Sequence, residues 1–171
     1  GQTRHVGGEF FTSLDLLQLA SVSNQQLLLE GSYTFVDTQN VTDGGLFEGN
    51  DLPYAPRHLA RLGLSYASQA GLAKGLKLSG EASFTGSQFA DQANTVNPTA
   101  DGTNGKIPSY WLMNAYASYQ VPTTALTLNL KALNLFNKTY IASRAPQGIF
   151  PGAGLTVLGG LSYQWGGKEF N

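Results

Sequence analysis

Leu155-Thr-Val-Leu-Gly-Gly-Leu-Ser-Tyr-Gln-Trp165 alternates with a period of two. Leu155, Val157, Gly159, Leu161, Tyr163 and Trp165 share a nearly apolar side that ends in two aromatics, whereas Thr156, Ser162 and Gln164 fall on the other side. Side chains alternate across a β-strand, so this is a strand with one greasy face. The pattern recurs along the chain. It is clearest in Leu126-Thr-Leu-Asn-Leu-Lys-Ala132 and in Leu76–Thr85, where Lys77, Ser79, Glu81, Ser83 and Thr85 make the polar set. Strands of this kind, joined alternately by short and long connections, are the signature of a transmembrane β-barrel.

The spacing predicts about seven strands, near 3–19, 25–38, 55–69, 75–90, 108–121, 125–140 and 154–166. The connections 20–24, 70–74 and 122–124 are short, while 38–54, 90–107 and 141–153 are long. Barrels of the outer membrane carry short periplasmic turns and long extracellular loops. With the last strand descending to the periplasm, all three long connections fall outside. Tyr66, Tyr119, Tyr163 and Trp165 then lie at the lower ends of the apolar faces, and Tyr33, Phe35, Phe84 and Trp111 near the upper ends. Trp111 and Tyr119 are eight residues apart, about 26 Å along a strand and about 20 Å across a bilayer at about 40° tilt. Two levels of aromatics match the girdles of a membrane barrel.

Composition narrows the function. The 171 residues carry a net charge of −1 and only 12% charged side chains, so no basic field for nucleic acid exists. Cysteine is absent, which removes disulfides and thiolate-ligated metals. No apolar run approaches the ~20 residues of a membrane helix, but a barrel strand needs only ~9–11. The chain opens at Gly1 without a signal segment and Met113 is its single methionine. The expectation is a piece of a longer exported protein, with a targeting segment upstream.

No catalytic constellation stands out, and the protein reads as a non-enzyme. His5 and His58 are far apart and read as polar residues near strand starts, not as metal ligands. Asp43, Glu48 and Asp51 share one loop with no calcium-loop spacing. Lys77, Glu81, Lys131, Arg57 and Arg61 belong to the lumenal wall in this reading.

Three stretches resemble a known family. Arg4-His-Val-Gly-Gly-Glu9, Ile107-Pro-Ser-Tyr-Trp-Leu-Met-Asn-Ala-Tyr-Ala-Ser-Tyr119 and Leu130-Lys-Ala-Leu-Asn-Leu-Phe-Asn-Lys-Thr-Tyr140 resemble strands of TonB-dependent outer-membrane receptors, in family order and spacing. Pro53-Tyr-Ala-Pro-Arg-His58 fits too. Asn104-Gly105, Pro108–Tyr110 and Gln147-Gly-Ile-Phe-Pro-Gly152 look most like siderophore receptors of the ferric-citrate type.

The resemblance implies an all-β fold: an antiparallel transmembrane β-barrel segment, about seven strands of a barrel of about 22. Residues 1–171 would be its C-terminal portion, lacking the plug and the TonB box. It also implies uptake of a ferric siderophore across the bacterial outer membrane. No cofactor would be bound directly, and the ferric chelate would be the transported ligand. The implied partners are outer-membrane lipid, the remaining barrel strands and plug, TonB through the absent N-terminal region, and the barrel-assembly machinery.

Arg144 is the natural partner for an anionic chelate, with Gln147, Gln92 and Asn94 as neutral hydrogen-bonding residues in the outer loops. Gly160, Tyr163 and Trp165 resemble the C-terminal assembly signal, although Gly166-Gly-Lys-Glu-Phe-Asn171 follows where relatives usually stop at an aromatic. Asn134, Phe136 and Asn137 read as strand-shape and interface residues. Two further readings remain at this point: a self-standing small outer-membrane barrel with a structural role, and a soluble barrel binding an apolar ligand.

Overall fold

A computed structural model describes residues 1–165 other than Asp43. Seven long strands form one antiparallel sheet: β1 (Thr3–Asp15), β2 (Gln25–Asn40), β3 (His58–Ser68), β4 (Leu76–Thr85), β7 (Tyr110–Gln120), β8 (Leu126–Leu133) and β11 (Thr156–Tyr163). The short pieces β5 (Gln88–Phe89) with β6 (Lys106–Ile107), and β9 (Ile141–Ala145) with β10 (Gly148–Pro151), are hairpins within two of the connections. A helical turn, α1 (Leu16–Leu19), follows β1.

The sheet order is β1-β2-β3-β4-β7-β8-β11, with every neighbour also next among the seven long strands. β1 and β11 pair with nothing on their outer sides among the described residues, so the sheet is a partial wall and not a closed barrel. An open edge carries a row of unpaired N–H and C=O groups.

Strand ends have local causes. β1 stops at Asp15 because its carboxylate accepts from the Leu17 and Gln18 amides and caps α1, so the strand ends four residues before the expected residue 19. β8 stops at Leu133 because Asn134 adopts φ 48°, a left-handed conformation that asparagine tolerates. The segment expected to run as strand to residue 140 therefore turns a corner.

Register fixes the faces. Phe10, Tyr33, Ala60, Phe84 and Trp111 lie in one row across the sheet, and Tyr119, Leu128 and Leu161 in another. These rows belong to the apolar face. Its side chains are uncovered: Leu161 is 76% exposed, Phe10 63% and Leu62 55%. Ile107, in an outer hairpin, is the only fully enclosed apolar residue among the described residues. A water-soluble domain does not leave so continuous an apolar surface in contact with water. A strand wall facing lipid does. Among the described residues no helix is long and apolar enough to cross a membrane.

The hollow of the sheet is on the opposite, polar face. A groove of about 310 Å³ there is lined by Phe11, Glu30, Arg61, Gly63, Glu81 and Tyr116 among others. The soluble-barrel reading needs an apolar interior, and this arrangement reverses it.

Candidate functional site at the outer rim and the inner wall

Connections 41–57, 86–109 and 134–155 emerge from one end of the sheet and 16–24, 69–75 and 121–125 from the other. The three long ones therefore build one rim. Two features of the molecule can do recognition chemistry: this rim, and the polar wall below it.

On the wall, Glu30, Gly63, Glu81 and Asn114 are cross-strand partners in one row. Gly63 puts no side chain between the two carboxylates, which stand two strand spacings apart, about 10 Å. Glu81 pairs with Arg61 at 3.5 Å and accepts from the Asn114 amide at 3.4 Å. The reading from sequence placed Glu81 and Arg61 here but missed Glu30, whose even-numbered parity with Ser32 on β2 was the available signal. Arg57 sits higher than expected, at the rim, paired with Asp37 at 3.1 Å and Asp51 at 2.7 Å.

Loop 41–57 and loop 86–109 are stitched together. Asn94 behaves like a strand neighbour of Asp51: its Oδ1 accepts from the Asp51 amide at 2.8 Å and its Nδ2 donates to the Asp51 carbonyl at 2.9 Å. Asn50 Nδ2 donates to the Gln92 carbonyl at 2.8 Å. In loop 86–109, Asp101 accepts from both the Thr99 and Thr103 hydroxyls, at 2.6 and 2.9 Å. The Thr99 hydroxyl first, then the Thr103 amide and hydroxyl, hold its carboxyl below the ordinary range by favouring the charged form.

Arg144 lies in β9 and is 5% exposed. Its NH1 donates to the Gly102 carbonyl at 2.8 Å, while its enclosed Nε has no hydrogen-bond partner. No carboxylate pairs with it among the described residues. Gln92 and Gln147 are exposed at the rim, the latter at the tip of the β9–β10 hairpin. Of the four expected ligand residues, two are thus exposed, Asn94 is engaged in loop structure, and Arg144 is an enclosed cation beneath the hairpin.

Beside the hairpin, Tyr110 and Tyr140 pack with ring centroids 4.5 Å apart. They border a cavity of about 280 Å³ with Lys138, Ile149 and Pro151. Gly152 is required here, since a Cβ on it would come within 1.9 Å of the Tyr140 ring. The corner after β8 is held by Asn134, 4% exposed, whose side chain bonds the Lys138 amide, the Lys138 carbonyl and the Ala153 carbonyl at 2.8–2.9 Å. Asn137 accepts from the Leu155 amide at 2.9 Å. The Asn134-Leu-Phe-Asn137 stretch is therefore a shape element that returns the chain to β11, while Phe136 stays exposed.

At the lower end, Tyr163 and Trp165 have ring centroids 6.2 Å apart, and Gly160 pairs with Asn129. Residues 166–171 and Asp43 lie outside the described residues.

The family described as "TonB dependent receptor-like, beta-barrel" matches residues 1–135. The "Ferrichrome outer membrane transporter/phage receptor" of Escherichia coli (strain K12) is 29% identical over 140 residues, covering 80% of this chain and 17% of that protein. The "Metal-pseudopaline receptor CntO" of Pseudomonas aeruginosa (strain UCBPP-PA14) is 24% identical over 124 residues, 72% of this chain and 16% of that protein. Among solved structures, the ferric citrate transporter FecA in its unliganded form superposes with a TM-score of 0.78 and 32% identity, over 91% of this chain and 23% of that one. The copper transporter OprC shares the fold, at a TM-score of 0.66 and 19% identity. The chain thus spans about a sixth of the length of the curated relatives it matches.

Proposed function

The chain belongs to the TonB-dependent receptor β-barrel family, a family of outer-membrane receptors and transporters and not of enzymes, and on that premise we propose that it forms part of the wall and outer rim of a receptor for a ferric chelate, of the ferric-citrate kind. The observation that carries this reading is the 32% identity to the ferric citrate transporter across 91% of the chain.

Electrostatics supports it. A ferric citrate complex is anionic. Arg144 is an enclosed guanidinium with no carboxylate partner among the described residues, so it contributes uncompensated positive charge beneath the rim. Exposed Gln92 and Gln147 supply neutral hydrogen bonds, and Asn94 holds the loop that carries Gln92. The chelate is cargo and not a resident cofactor.

The inner wall has a second role in this proposal. Glu30 and Glu81 facing each other across Gly63 suit a guanidinium from a plug that fills the barrel. TonB would act on that plug from the periplasm. The barrel-assembly machinery would read Gly160, Tyr163 and Trp165, whose strand presents an open edge. Here the chain is the C-terminal portion of the receptor barrel.

The test is uptake of radioactive iron from ferric citrate by cells carrying the full-length receptor, with and without active TonB. The proposal expects uptake that requires both, and reduced affinity in Arg144→Ala at unchanged receptor level. Full-length, folded receptor that neither binds nor imports ferric citrate would remove this substrate.

A further inference from the structure

Tyr54 bonds to both other outer connections. It sits in loop 41–57 at φ 56°, an unfavourable conformation for a residue with a ring. Its amide donates to the Phe89 carbonyl at 2.9 Å, in loop 86–109. Its hydroxyl donates to the Arg144 carbonyl and accepts from the Arg144 amide at 3.2 Å, ninety positions away in loop 134–155. Arg144 closes the triangle through NH1 on the Gly102 carbonyl at 2.8 Å. Each pair of loops is therefore joined directly. The join between the first two is reinforced by the two-way Asn94–Asp51 pairing and the Asn50–Gln92 bond.

This arrangement has an energetic consequence. The tip of a long loop is ordinarily free to open at little cost. Here the β9–β10 hairpin cannot swing without breaking both bonds of one main-chain unit to the Tyr54 hydroxyl and uncovering an enclosed guanidinium. The other two loops cannot separate without orphaning the Asp51 main chain. We propose that Tyr54 is a positioning residue that locks the three outer connections into a single body, so that Gln92 and Gln147 are presented in a fixed relation at the rim. Its consequence for chelate binding rests on the function proposed above. The locking itself does not.

The full-length receptor in lipid tests it by amide hydrogen exchange, comparing parent and Tyr54→Phe, which removes only the hydroxyl. The expected result is faster exchange in all three connections together, around residues 51–54, 89–94 and 141–151, with β2, β3 and β4 unchanged. Arg144→Lys, which keeps the charge but removes the Gly102 contact, should loosen the same three segments. Exchange that changes only at Arg144, or nowhere, in Tyr54→Phe overturns the proposal. Affinity for ferric citrate is the second readout. A weakening of roughly 2- to 10-fold, equivalent to one net hydrogen bond, is expected in Tyr54→Phe at equal receptor level. Faster exchange in all three loops with unchanged ferric citrate affinity upholds the lock and overturns its consequence for chelate binding; a parent receptor that does not bind ferric citrate overturns the proposed substrate and leaves the lock to the exchange data.

Discussion

Replacing Leu62 with arginine probes the direction of the wall most sharply, because the native neighbour on the same strand is already Arg61. Leu62 lies in the row with Gly31, Ala82 and Met113, on the apolar face, and is 55% exposed. It stands four residues from Tyr66 at the lower aromatic level and four from His58, whose ring stacks on Tyr33 at the upper level. Each interval is about 13 Å along the strand, or about 10 Å along the membrane normal at about 40° tilt. Leu62 is therefore near mid-bilayer, where arginine on the lipid face costs ~2–4 kcal/mol. At about 1.4 kcal/mol per tenfold, the folding equilibrium should shift by about 30-fold to nearly 1,000-fold. Arg61 escapes this penalty because it points the other way, toward Glu81 at 3.5 Å. The assay is reversible denaturant unfolding of the full-length receptor in lipid vesicles, with Ser65→Arg on the polar face as the comparison. Wild-type stability in Leu62→Arg together with a large loss in Ser65→Arg would refute the face assignment.

Three further outcomes follow from other parts of the molecule. Tyr163→Ala combined with Trp165→Ala should lower outer-membrane levels of the full receptor, measured by membrane fractionation, because it strips the lower aromatic level from the edge strand that the assembly machinery would engage; undiminished levels would sink that role. Asn134→Ala should destabilise the folded receptor by about 1–3 kcal/mol, read as a lower denaturant midpoint, since it removes the three hydrogen bonds that a buried side chain makes to the main chain of Lys138 and Ala153. The Asp101 carboxyl has a folded-state pKa below its ordinary value of 3.8, so its ordering of the 99–105 turn is fully present above that value and is lost as pH falls through the lower folded-state one; exchange of the Thr103 amide followed against pH should stay slow into mild acid, and loosening as pH rises would contradict it.

The wall was legible in the sequence because a period of two survives wherever one face meets lipid and the other meets water. A one-residue slip anywhere would have put Lys77, Glu81 and Arg61 into the bilayer, so the pattern specifies both strands and register. Strand ends were less legible. β1 and β8 end on side-chain events, the Asp15 cap and the Asn134 corner, that leave the hydrophobic alternation nearly intact. The rim was least legible. Tyr54, Asn94 and Arg144 come from three separate loops, and their meeting depends on contacts 42 to 90 positions apart. Arg144 attracts notice as an arginine in a long loop, but nothing in its neighbours says that Gly102 and Tyr54 enclose it. Glu30 could have been read from its parity with Ser32 on β2, once Gly63 was seen to leave the space between it and Glu81.

The account rests on these strands forming a membrane wall with the polar face inward. Spin labels placed singly on cysteines at Leu62, Leu130 and Leu161, and at Ser65, Asn129 and Ser162, in the full-length receptor in outer membranes measure this directly through collisions with oxygen and with a water-soluble nickel chelate. The account predicts high oxygen and low nickel accessibility for the first three positions and the reverse contrast for the second three. Lipid-like accessibility at Ser65, Asn129 and Ser162, or no alternation along the strands, would contradict it.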